Sequence, residues 1–414
     1  MKKLIILIVS IVIFQSCTVL TRCVKYYEAD ITDHEIFPYE EINTGNNKFH
    51  FKDGDKSLFE KQIVENKDSI DYTLDEYLKT GQTTAFLVIK NDSVLFEKYY
   101  KGYERSDIST FFSVSKSVTS LLVGIAVDEG AIKSVKDPVT DYIPELKDGD
   151  SMFKKLTIEH LLNMRSGIDF DESYSNPFSG MATLYYGTNQ LAKIKRKGFK
   201  CAPGTKHEYQ SVSTAILGII LERATGKKMA KYLEEKVWIP MGMENRATWS
   251  VDDKRHRSPK AYSGLNATAI DLAKIGRLYL NKGNWNGKQI LSEDWVKKSF
   301  TPNVANDGYQ YQWYSFQAHA ADTSGNKFFQ DSLTAVQKCK PLINEYKYYY
   351  TWENSDREKD KIGVKIYTGQ YYALGLLKQI LYIDPSKNLI IVRLGEGANF
   401  EYTDFMYKIG AMIK

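Results

Sequence analysis

Apolar residues follow a strand-like pattern near both ends of the chain and a helix-like pattern between them. Two apolar runs within 85–96 flank turn residues at 91–93, which predicts a hairpin. A second pair of strands is predicted within 379–394, around a turn at 385–388. Strand-like runs are nearly absent from 134–242, where the signals are short helices and loops. The pattern therefore predicts one sheet built from both ends of the chain, with an inserted helical domain.

The helix that follows the first hairpin has the clearest periodicity. Val118, Leu121, Leu122 and Ile125 recur at i, i+3, i+4 and i+7, which places them on one apolar face. Gly130 is expected to end this helix, because glycine readily adopts the left-handed conformation found after a helix C-terminus.

The stretch 317–365 departs from these patterns. It is polar, charged and rich in aromatic residues, and it has no clear periodicity. Two interpretations stay open. The stretch is either a lid that places aromatic rings over a substrate pocket, or a surface decoration with its own tyrosine cluster.

Together these elements predict an α/β (α+β) fold, in which an antiparallel sheet is flanked by helices and carries an inserted all-helical domain. The predicted bounds are 1–16 for a signal peptide, 17–48 for a stalk or wrapping segment, 49–112 and 255–414 for the sheet domain with its insertion at 317–365, and 113–254 for the helical domain.

The N-terminus has the pattern of an export signal. Lys2 and Lys3 precede an apolar run at 4–14, which is shorter than the roughly 20 residues of a spanning helix. The residues up to Cys17 resemble a bacterial lipobox, which predicts cleavage before Cys17 and lipidation of its sulfur. An uncleaved N-terminal anchor is the alternative. Both predict an exported protein tethered to the membrane of the bacterial cell envelope.

Composition narrows the classes of function. Of the 414 residues, 43% are hydrophobic and 26% are charged, as in ordinary soluble globular proteins. The net charge of +5 is small and spread along the chain, so nucleic acid is not an expected partner. Three cysteines besides Cys17 are too few for a disulfide framework, and neither a CxxC nor an HExxH spacing occurs. We expect no metal site and no cofactor, and the oligomeric state stays open.

The strongest candidate for chemistry, Ser113-Val114-Ser115-Lys116, stands at the start of the helix with the apolar face. At i and i+3, the Ser113 hydroxyl and the Lys116 amine share one side of the helix. The Ser113 N–H belongs to the first turn, where N–H groups lack helical partners and can hold a developing oxyanion. A partly buried lysine can serve as the base that activates such a serine.

The same Ser-x-x-Lys pattern also occurs at 151–154 and 324–327, in polar loop contexts. Only Ser113 lies between a predicted strand pair and a helix with an apolar face. The alternative for Ser113 is a hydroxyl that merely caps a helix.

Tyr209 is the second candidate. It follows a turn at 203–204 and precedes a predicted helix, so that its phenol could lie near Lys116 and relay a proton. The alternative is a packing or surface residue, since the chain has 29 tyrosines. A GxSxG elbow, a Walker A loop and a dinucleotide fingerprint are all absent from the sequence, which disfavours those classes of enzyme.

Taken together, the ordered segments from about Thr84 to Leu394 resemble the penicillin-recognising serine hydrolases. This family includes class C β-lactamases, D-alanyl-D-alanine carboxypeptidases, related esterases and 6-aminohexanoate-dimer hydrolases. The matching segments are the nucleophile motif at 112–117, LTIEHLLNMRSGI at 156–168, PGT at 203–205 followed by Tyr209, PMGM at 240–243, and SGLNAT at 263–268. The resemblance implies a β-lactamase/transpeptidase-like fold and hydrolysis of an ester or amide through an acyl-enzyme.

The same resemblance implies a role for each residue of the site. Ser113 would be the nucleophile, and Lys116 with Tyr209 would move its proton. The N–H groups of Ser113 and Leu376 would form the oxyanion hole.

Two departures from the family pattern bear on the substrate. Ser211 stands where β-lactamases and carboxypeptidases usually carry a substrate-binding asparagine. The third motif corresponds to 373–375, ending at Gly375, and lacks the usual lysine or histidine. That cation is expected to recognise a substrate carboxylate. Lys378 is a candidate for restoring a positive charge nearby.

These departures favour a small-molecule or peptide ester or amide as the substrate, as in the esterase and aminohexanoate-hydrolase branch. Two alternatives stay open. One is a β-lactamase or a D-alanyl-D-alanine carboxypeptidase. The other is a non-catalytic cell-envelope protein that binds cell-wall peptide or a protein partner through the same cleft.

Overall fold

The computed structural model describes residues 18–26, 28–60, 63–65, 71–353, 361–397, 400 and 402–413. The predicted signal peptide and the predicted lipidation site Cys17 lie outside these residues. Among the described helices, none is long and apolar enough to cross a membrane.

The strands, in chain order, are β1 (Tyr39–Ile42), β2 (Lys52–Asp53), β3 (Ile63–Glu65), β4 (Asp71–Thr73), β5 (Thr83–Lys90), β6 (Ser93–Tyr99), β7 (Ser109–Thr110), β8 (Ala247–Ser250), β9 (Leu265–Ala267), β10 (Asn284–Trp285), β11 (Lys288–Gln289), β12 (Tyr309–Gln310), β13 (Trp313–His319), β14 (Phe328–Phe329), β15 (Tyr349–Glu353), β16 (Ile362–Leu374), β17 (Ile380–Asp384) and β18 (Leu389–Gly395).

The α-helices are α1 (Thr18–Tyr26), α2 (Ser57–Glu60), α3 (Leu74–Thr80), α4 (Val114–Asp128), α5 (Val139–Tyr142), α6 (Ile158–Leu162), α7 (Gly180–Tyr186), α8 (Gln190–Lys195), α9 (Ser211–Thr225), α10 (Met229–Leu233), α11 (Ala269–Leu280), α12 (Glu293–Ser299), α13 (Ser332–Ile343) and α14 (Tyr402–Met412).

One large sheet forms the centre of the fold. Its strands follow the order β12-β13-β16-β17-β18-β5-β6-β2, with β14 and β15 paired to β16. All of these described pairs are antiparallel except β2 with β6. This arrangement, with helices on both faces, confirms the predicted fold class.

Both predicted strand pairs are present, and they lie side by side. The first hairpin turns at Asn91 and Asp92, whose φ angles of 50° and 60° suit a tight two-residue turn between twisted strands. The second hairpin joins β17 to β18, and β18 pairs with β5. The centre of the sheet is therefore built from both ends of the chain, as the sequence predicts.

The continuous apolar runs of β5 and β18 are buried on both faces of the sheet. One face packs against α4 and α11 in the larger hydrophobic core. The other face packs against α3 and α14 in a second core. Strands covered on both sides lack polar alternation, which accounts for their near-continuous apolar sequence.

The predicted amphipathic helix is α4, and it is buried on almost every side. Its apolar face contacts the core as expected, but Ser115 and Thr119, which lie along one edge of that face, are buried as well. These hydroxyls contact protein rather than water. Gly130 follows the helix with a φ of 74°, in agreement with its predicted role.

The segment at 17–48 is not a free stalk in the part that the structure describes. Ile31, Phe37 and Ile42 are buried in the larger core, and β1 pairs with β8. The apolar side chains are spaced among polar ones, so periodicity could not distinguish a stalk from a wrapping segment. The structure favours the wrapping segment.

The insertion at 317–365 is more regular than its sequence indicates. It holds α13, β14, β15 and the first half of β16, which enclose a small core of their own. The helix contains Pro341, which interrupts the helical signal in the sequence. A small separate core agrees with the interpretation as a decoration, while a lid function stays a prediction.

Candidate active site

Ser113 lies where the chain passes from β7 into α4. The Phe111 N–H donates to the Leu265 carbonyl at 2.9 Å. Phe112 then has a φ of 47°, a left-handed conformation that costs a bulky residue about 1–3 kcal/mol. Phe112 is buried, so packing can hold this strained conformation. Ser113 follows as the N-cap, and its N–H has no acceptor among the described residues.

Lys116 reaches back along α4 to Ser113. Its Nζ donates to Ser113 Oγ at 2.9 Å and to the Tyr262 carbonyl at 3.1 Å. The lysine is 1% exposed, and no carboxylate of the described chain forms an ion pair with it. Serine and lysine are thus held in direct contact inside the protein, as their i and i+3 spacing predicts.

Two hydroxyls of α4 fix the segment that carries the Tyr262 carbonyl. Ser115 Oγ accepts a hydrogen bond from a backbone N–H of segment 261–265 at 3.0 Å. Thr119 Oγ1 donates to a carbonyl of the same segment at 2.8 Å. Because Tyr262 lies between these two contacts, Ser115 and Thr119 fix the acceptor that orients Lys116.

Tyr209 completes a cluster with Lys116. The Lys116 Nζ lies 4.9 Å from the centroid of the half-buried Tyr209 ring. Tyr309 and Tyr314 flank that ring, with centroids 5.9 Å and 6.3 Å away. Burial raises the pKa of both flanking tyrosines well above the usual value, so they remain neutral phenols near neutral pH. The structure therefore brings all three predicted catalytic side chains together.

Gly375 lets the end of β16 approach the chain next to Ser113. A β-carbon at position 375 would lie well inside contact distance of the Phe111 carbonyl oxygen. Only glycine fits so close to another backbone. The next residue, Leu376, has an N–H that no described residue accepts. Two unpaired N–H groups, of Ser113 and Leu376, thus belong to two neighbouring backbone segments.

Ser211 does not present a free hydroxyl. Its Oγ donates to Glu172 Oε1 at 2.6 Å, and its N–H donates to Glu172 Oε2 at 2.8 Å. Tyr174 donates its hydroxyl to the same carboxylate at 2.9 Å. Ser211 is the first residue of α9, where a carboxylate is favoured by the helix dipole. Glu172 therefore occupies the hydrogen-bonding groups of the residue that was predicted to bind substrate.

Sequence analysis missed Glu172, because no local pattern distinguishes it among the 51 acidic residues. Its partner Ser211 lies 39 positions further along the chain. Only the fold brings a negative charge to the residue that follows Tyr209 and Gln210.

The third-motif position carries no charge in the structure either. Ala373 and Leu374 end β16, and the Lys378 Nζ lies 4.9 Å from the Tyr402 ring centroid. No described contact of Lys378 supports the prediction that this lysine restores the missing positive charge.

The other two Ser-x-x-Lys tetrapeptides, at 151–154 and 324–327, differ from the one at 113–116 in their surroundings. Ser151 lies in a short 3₁₀-helix at the surface, and Ser324 lies in an exposed turn of the insertion. In neither case does the structure record a contact between the serine and its lysine.

One group of the described residues has the spacing of metal ligands. Asp252, Asp253 and His256 have ligand atoms within 4.8 Å of one another. Their carboxylates already accept backbone N–H groups of the same loop, for example from Ser258 to Asp252 at 2.9 Å. The cluster is accounted for as a loop cap, and it lies apart from Ser113 in the sequence.

A model of the beta-lactamase family matches residues 73–404, a range that holds every residue of this site. The chain belongs to the beta-lactamase family. It is a serine hydrolase of that family, whose members act through an acyl-enzyme, and the predicted family and class of function are confirmed.

Curated relatives of the chain are named as a 6-aminohexanoate-dimer hydrolase and as D-alanyl-D-alanine carboxypeptidases. A 6-aminohexanoate-dimer hydrolase of Paenarthrobacter ureafaciens is 30% identical over 277 residues, which cover 61% of this chain and 69% of the relative. A protein of Salmonella agona assigned as a D-alanyl-D-alanine carboxypeptidase is 29% identical over 180 residues, 38% of this chain and 41% of that one.

Solved structures of beta-lactamase-type proteins share the fold. A protein from Bacillus anthracis assigned as a 6-aminohexanoate-dimer hydrolase has a TM-score of 0.70 at 22% identity, over 92% of this chain and 91% of that chain. A penicillin-binding protein from Bacillus halodurans has a TM-score of 0.56 at 16% identity, over 82% and 99% of the two chains.

Proposed function

We propose that Ser113 is the nucleophile of an esterase or amidase, with Lys116 and Tyr209 moving its proton. The observation that carries the proposal is the 2.9 Å contact between Lys116 Nζ and Ser113 Oγ, inside a cluster that also holds Tyr209. A nucleophile within hydrogen-bond reach of a buried base, itself oriented by a third group, is the arrangement that acyl transfer requires.

In the first step, Ser113 Oγ attacks the substrate carbonyl carbon and its proton passes to Lys116, coupled to Tyr209. The carbonyl electron pair moves to oxygen, and the N–H groups of Ser113 and Leu376 hold the resulting oxyanion. The tetrahedral intermediate then collapses, and the bond to the leaving alcohol or amine breaks. Tyr209 or Lys116 protonates this leaving group. In the second half of the reaction, Lys116 or Tyr209 takes a proton from water as its oxygen attacks the acyl carbonyl carbon. The bond to Ser113 Oγ then breaks, Oγ takes up that proton, and the acid is released.

The charges near the site support a substrate without a carboxylate next to the scissile bond. The third-motif cation is missing at Ala373, and the Glu172 carboxylate lies beside Ser211. A fixed negative charge repels an anionic substrate group. The penicillin nucleus carries such a carboxylate, so an ester or amide outside the penicillins is the substrate class that we propose.

Two covalent probes test the proposal. A fluorophosphonate should label the wild-type protein and the Ser151→Ala control, but not Ser113→Ala, while a fluorescent penicillin should label none of them. Ser151 is a matched control because it begins the same Ser-x-x-Lys pattern at the surface. No fluorophosphonate labelling of the wild type would support the non-catalytic alternative. Rapid penicillin labelling at Ser113 would instead favour a β-lactamase or carboxypeptidase.

We also propose export and attachment to the membrane through a lipid on Cys17. The basic residues, the apolar run at 4–14 and the lipobox-like residues before Cys17 support this proposal. Metabolic labelling with an alkyne fatty acid should mark the wild type in the membrane fraction and leave Cys17→Ala unmarked. Membrane association of an unlabelled, uncleaved Cys17→Ala protein would favour the N-terminal anchor instead.

A further inference from the structure

The turn at 376–378 carries one proposed oxyanion donor in a conformation that its own residues disfavour. Leu377 has a φ of 56° and Lys378 a φ of 61°. Two successive side-chain-bearing residues in the left-handed region are unusual, because the β-carbon crowds the backbone there. Contacts from outside the turn must therefore hold it.

Arg393 of β18 supplies these contacts. Its Nη1 donates to the Leu377 carbonyl at 2.6 Å and to the Lys378 carbonyl at 2.9 Å. Its Nη2 donates to the Gly81 carbonyl at 2.6 Å, which fixes the other edge of the guanidinium. One planar group thus holds the carbonyls of both strained residues.

The arginine is unusual in its burial and in its lack of an anionic partner. It is 0% exposed, and within the described parts of the chain no carboxylate forms an ion pair with it. Burial lowers the pKa of Arg393 to about 9, which leaves it protonated at neutral pH. Among the residues that the structure describes, its charge meets carbonyl oxygens, the Thr83 hydroxyl and the Phe400 ring. Burying a cation without an acid is costly, and hydrogen bonds to the protein must replace those that the cation loses with water.

Gln379 joins the same turn to β18. Its Nε2 donates to the Leu376 carbonyl at 3.1 Å and to the Gly395 carbonyl at 2.6 Å. Its Oε1 accepts from the Gly395 N–H at 3.0 Å. Side chains of Gln379 and Arg393 thus hold all three carbonyls of the turn, from Leu376 to Lys378, and no described residue accepts a hydrogen bond from the Leu376 N–H.

We propose that Arg393 is a positioning residue for the oxyanion hole. It holds the strained turn so that the Leu376 N–H stays aimed at the substrate side, and it places a positive charge behind the hole where the third-motif cation is missing. This inference rests on the proposed function of Ser113 and Leu376.

Arg393→Lys tests the proposal, since lysine keeps the charge but cannot bridge two carbonyls with a rigid fork. With a p-nitrophenyl ester, we expect kcat to fall about 10- to 100-fold, which approaches the fall caused by removing one oxyanion donor. KM should stay unchanged within about twofold. Arg277→Lys is the matched control, because Arg277 is also largely buried but bonds Asp92 and Asn286 away from the turn. It should lower Tm and leave kcat unchanged. A kcat of Arg393→Lys within twofold of the wild type would overturn the proposal.

Glycine in the turn separates positioning from general stability. Leu377→Gly with Lys378→Gly removes the left-handed strain, so the turn should depend less on Arg393. Added to Arg393→Lys, the two glycines should restore kcat at least about fivefold if strain is what Arg393 opposes. If Arg393→Lys does not fold, the triple variant is measured alone. Failure of the triple variant to fold, or to gain activity over a folded Arg393→Lys, contradicts the positioning role.

Hydrogen exchange distinguishes a failure of this inference from a failure of the proposed function. Amides in 375–379 should exchange faster in Arg393→Lys than in the wild type or in Arg277→Lys. That result would support the inference that Arg393 stabilises the turn, even if the wild type hydrolysed no ester. Equal exchange in all three proteins would overturn it even in an active enzyme.

Discussion

Lys116 Nζ lies 2.9 Å from Ser113 Oγ in a position where the lysine also donates to the Tyr262 carbonyl. The amine thus has two fixed acceptors and no carboxylate partner among the residues that the structure describes. A lysine held in this way interacts with the serine hydroxyl, and no ion pair competes for its amine.

Lys116→Met should therefore abolish most of the activity while the fold survives. The methionine side chain is nearly as long as that of lysine and is common in protein cores, but it cannot take the Ser113 proton. We expect kcat for a p-nitrophenyl ester to fall about 100- to 10,000-fold, the usual worth of a positioned general base. Lys155→Met, at an exposed position, is the control and should keep full activity. Activity of Lys116→Met within tenfold of the wild type would assign proton transfer to another group.

The hydroxyl of Thr119 should matter for catalysis although it lies away from the substrate. Thr119→Val keeps the shape of the side chain but leaves the Ala261 carbonyl unpaired, which costs about 1–3 kcal/mol of stability. The freed segment should also loosen the Tyr262 carbonyl and lower kcat about tenfold. Ser120→Ala on the same helix is the control, since the buried Ser120 hydroxyl has no described partner. Equal kcat values for Thr119→Val and Ser120→Ala would show that the hydrogen bond from Thr119 to the Ala261 carbonyl does not help to orient Lys116.

Gly375→Ala should separate the two backbone segments of the oxyanion hole. The added methyl group would collide with the Phe111 carbonyl, and backbone atoms would have to move. We expect kcat to fall about 100- to 1000-fold, as for loss of an oxyanion donor. Gly198→Ala is the control, because a β-carbon there has only one ordinary contact, 3.7 Å from Asp150. A normal kcat in a folded Gly375→Ala protein would place the second oxyanion donor elsewhere.

Glu172→Gln should change which substrates are accepted. Removing the charge keeps the shape of the side chain, and should favour p-nitrophenyl esters with a terminal carboxylate over those with a terminal methyl group. We expect the ratio of kcat/KM values to rise about five- to tenfold, equivalent to roughly 1 kcal/mol of charge repulsion. Glu208→Gln next to Tyr209 is the control, because Glu208 contacts Lys200 at 3.2 Å. An unchanged ratio of kcat/KM values would mean that the Glu172 charge does not repel the carboxylate of the substrate.

Lys260 should make stability depend on pH. Its Nζ lies 3.8 Å from the Phe37 ring centroid and donates to the Tyr185 carbonyl, and burial lowers its pKa from 10.5 to about 7. Between these two pH values the unfolded lysine binds a proton that the folded one has released. The free energy of unfolding should therefore rise with pH across this window, by up to a few kcal/mol.

Lys260→Met should remove this rise. Urea midpoints measured at pH 7 and pH 9.5 should increase with pH for the wild type and stay level for the variant. Asp33 acts in the opposite sense at lower pH. Burial raises its pKa from 3.8 to about 6, so its contribution to stability is lost as pH rises through that range. A rise in the Lys260→Met midpoint as steep as that of the wild type would assign the dependence to other groups.

Local sequence patterns were sufficient for the parts of the site that lie on one helix or one hairpin. Ser113 and Lys116 share a turn of α4, and the strands beside them have strong apolar runs. Tyr209 could be proposed because it precedes a helix, although only the ordered family motifs distinguished it from other tyrosines. These features depend on neighbours in sequence, which periodicity can detect.

The contacts that hold the site could not be predicted in this way. Arg393 bonds a carbonyl that lies 312 positions away, and Glu172 bonds a serine 39 positions away. The apolar neighbours of Arg393 mark its strand as buried, but nothing near either residue in the sequence identifies its hydrogen-bond partner. The same limit explains Ser211, because its predicted role followed from a motif while its hydrogen bonds depend on a distant carboxylate.

The pairing of β5 with β18 also has a consequence for how the protein is made. These adjacent strands at the centre of the sheet come from residues 83–90 and 389–395, so nearly the whole chain must be present before they can meet. Closing so long a loop is slow compared with forming local helices. The polypeptide should therefore remain without its central strand pair throughout most of its synthesis, and a truncation before β18 should leave an aggregation-prone chain rather than a smaller enzyme.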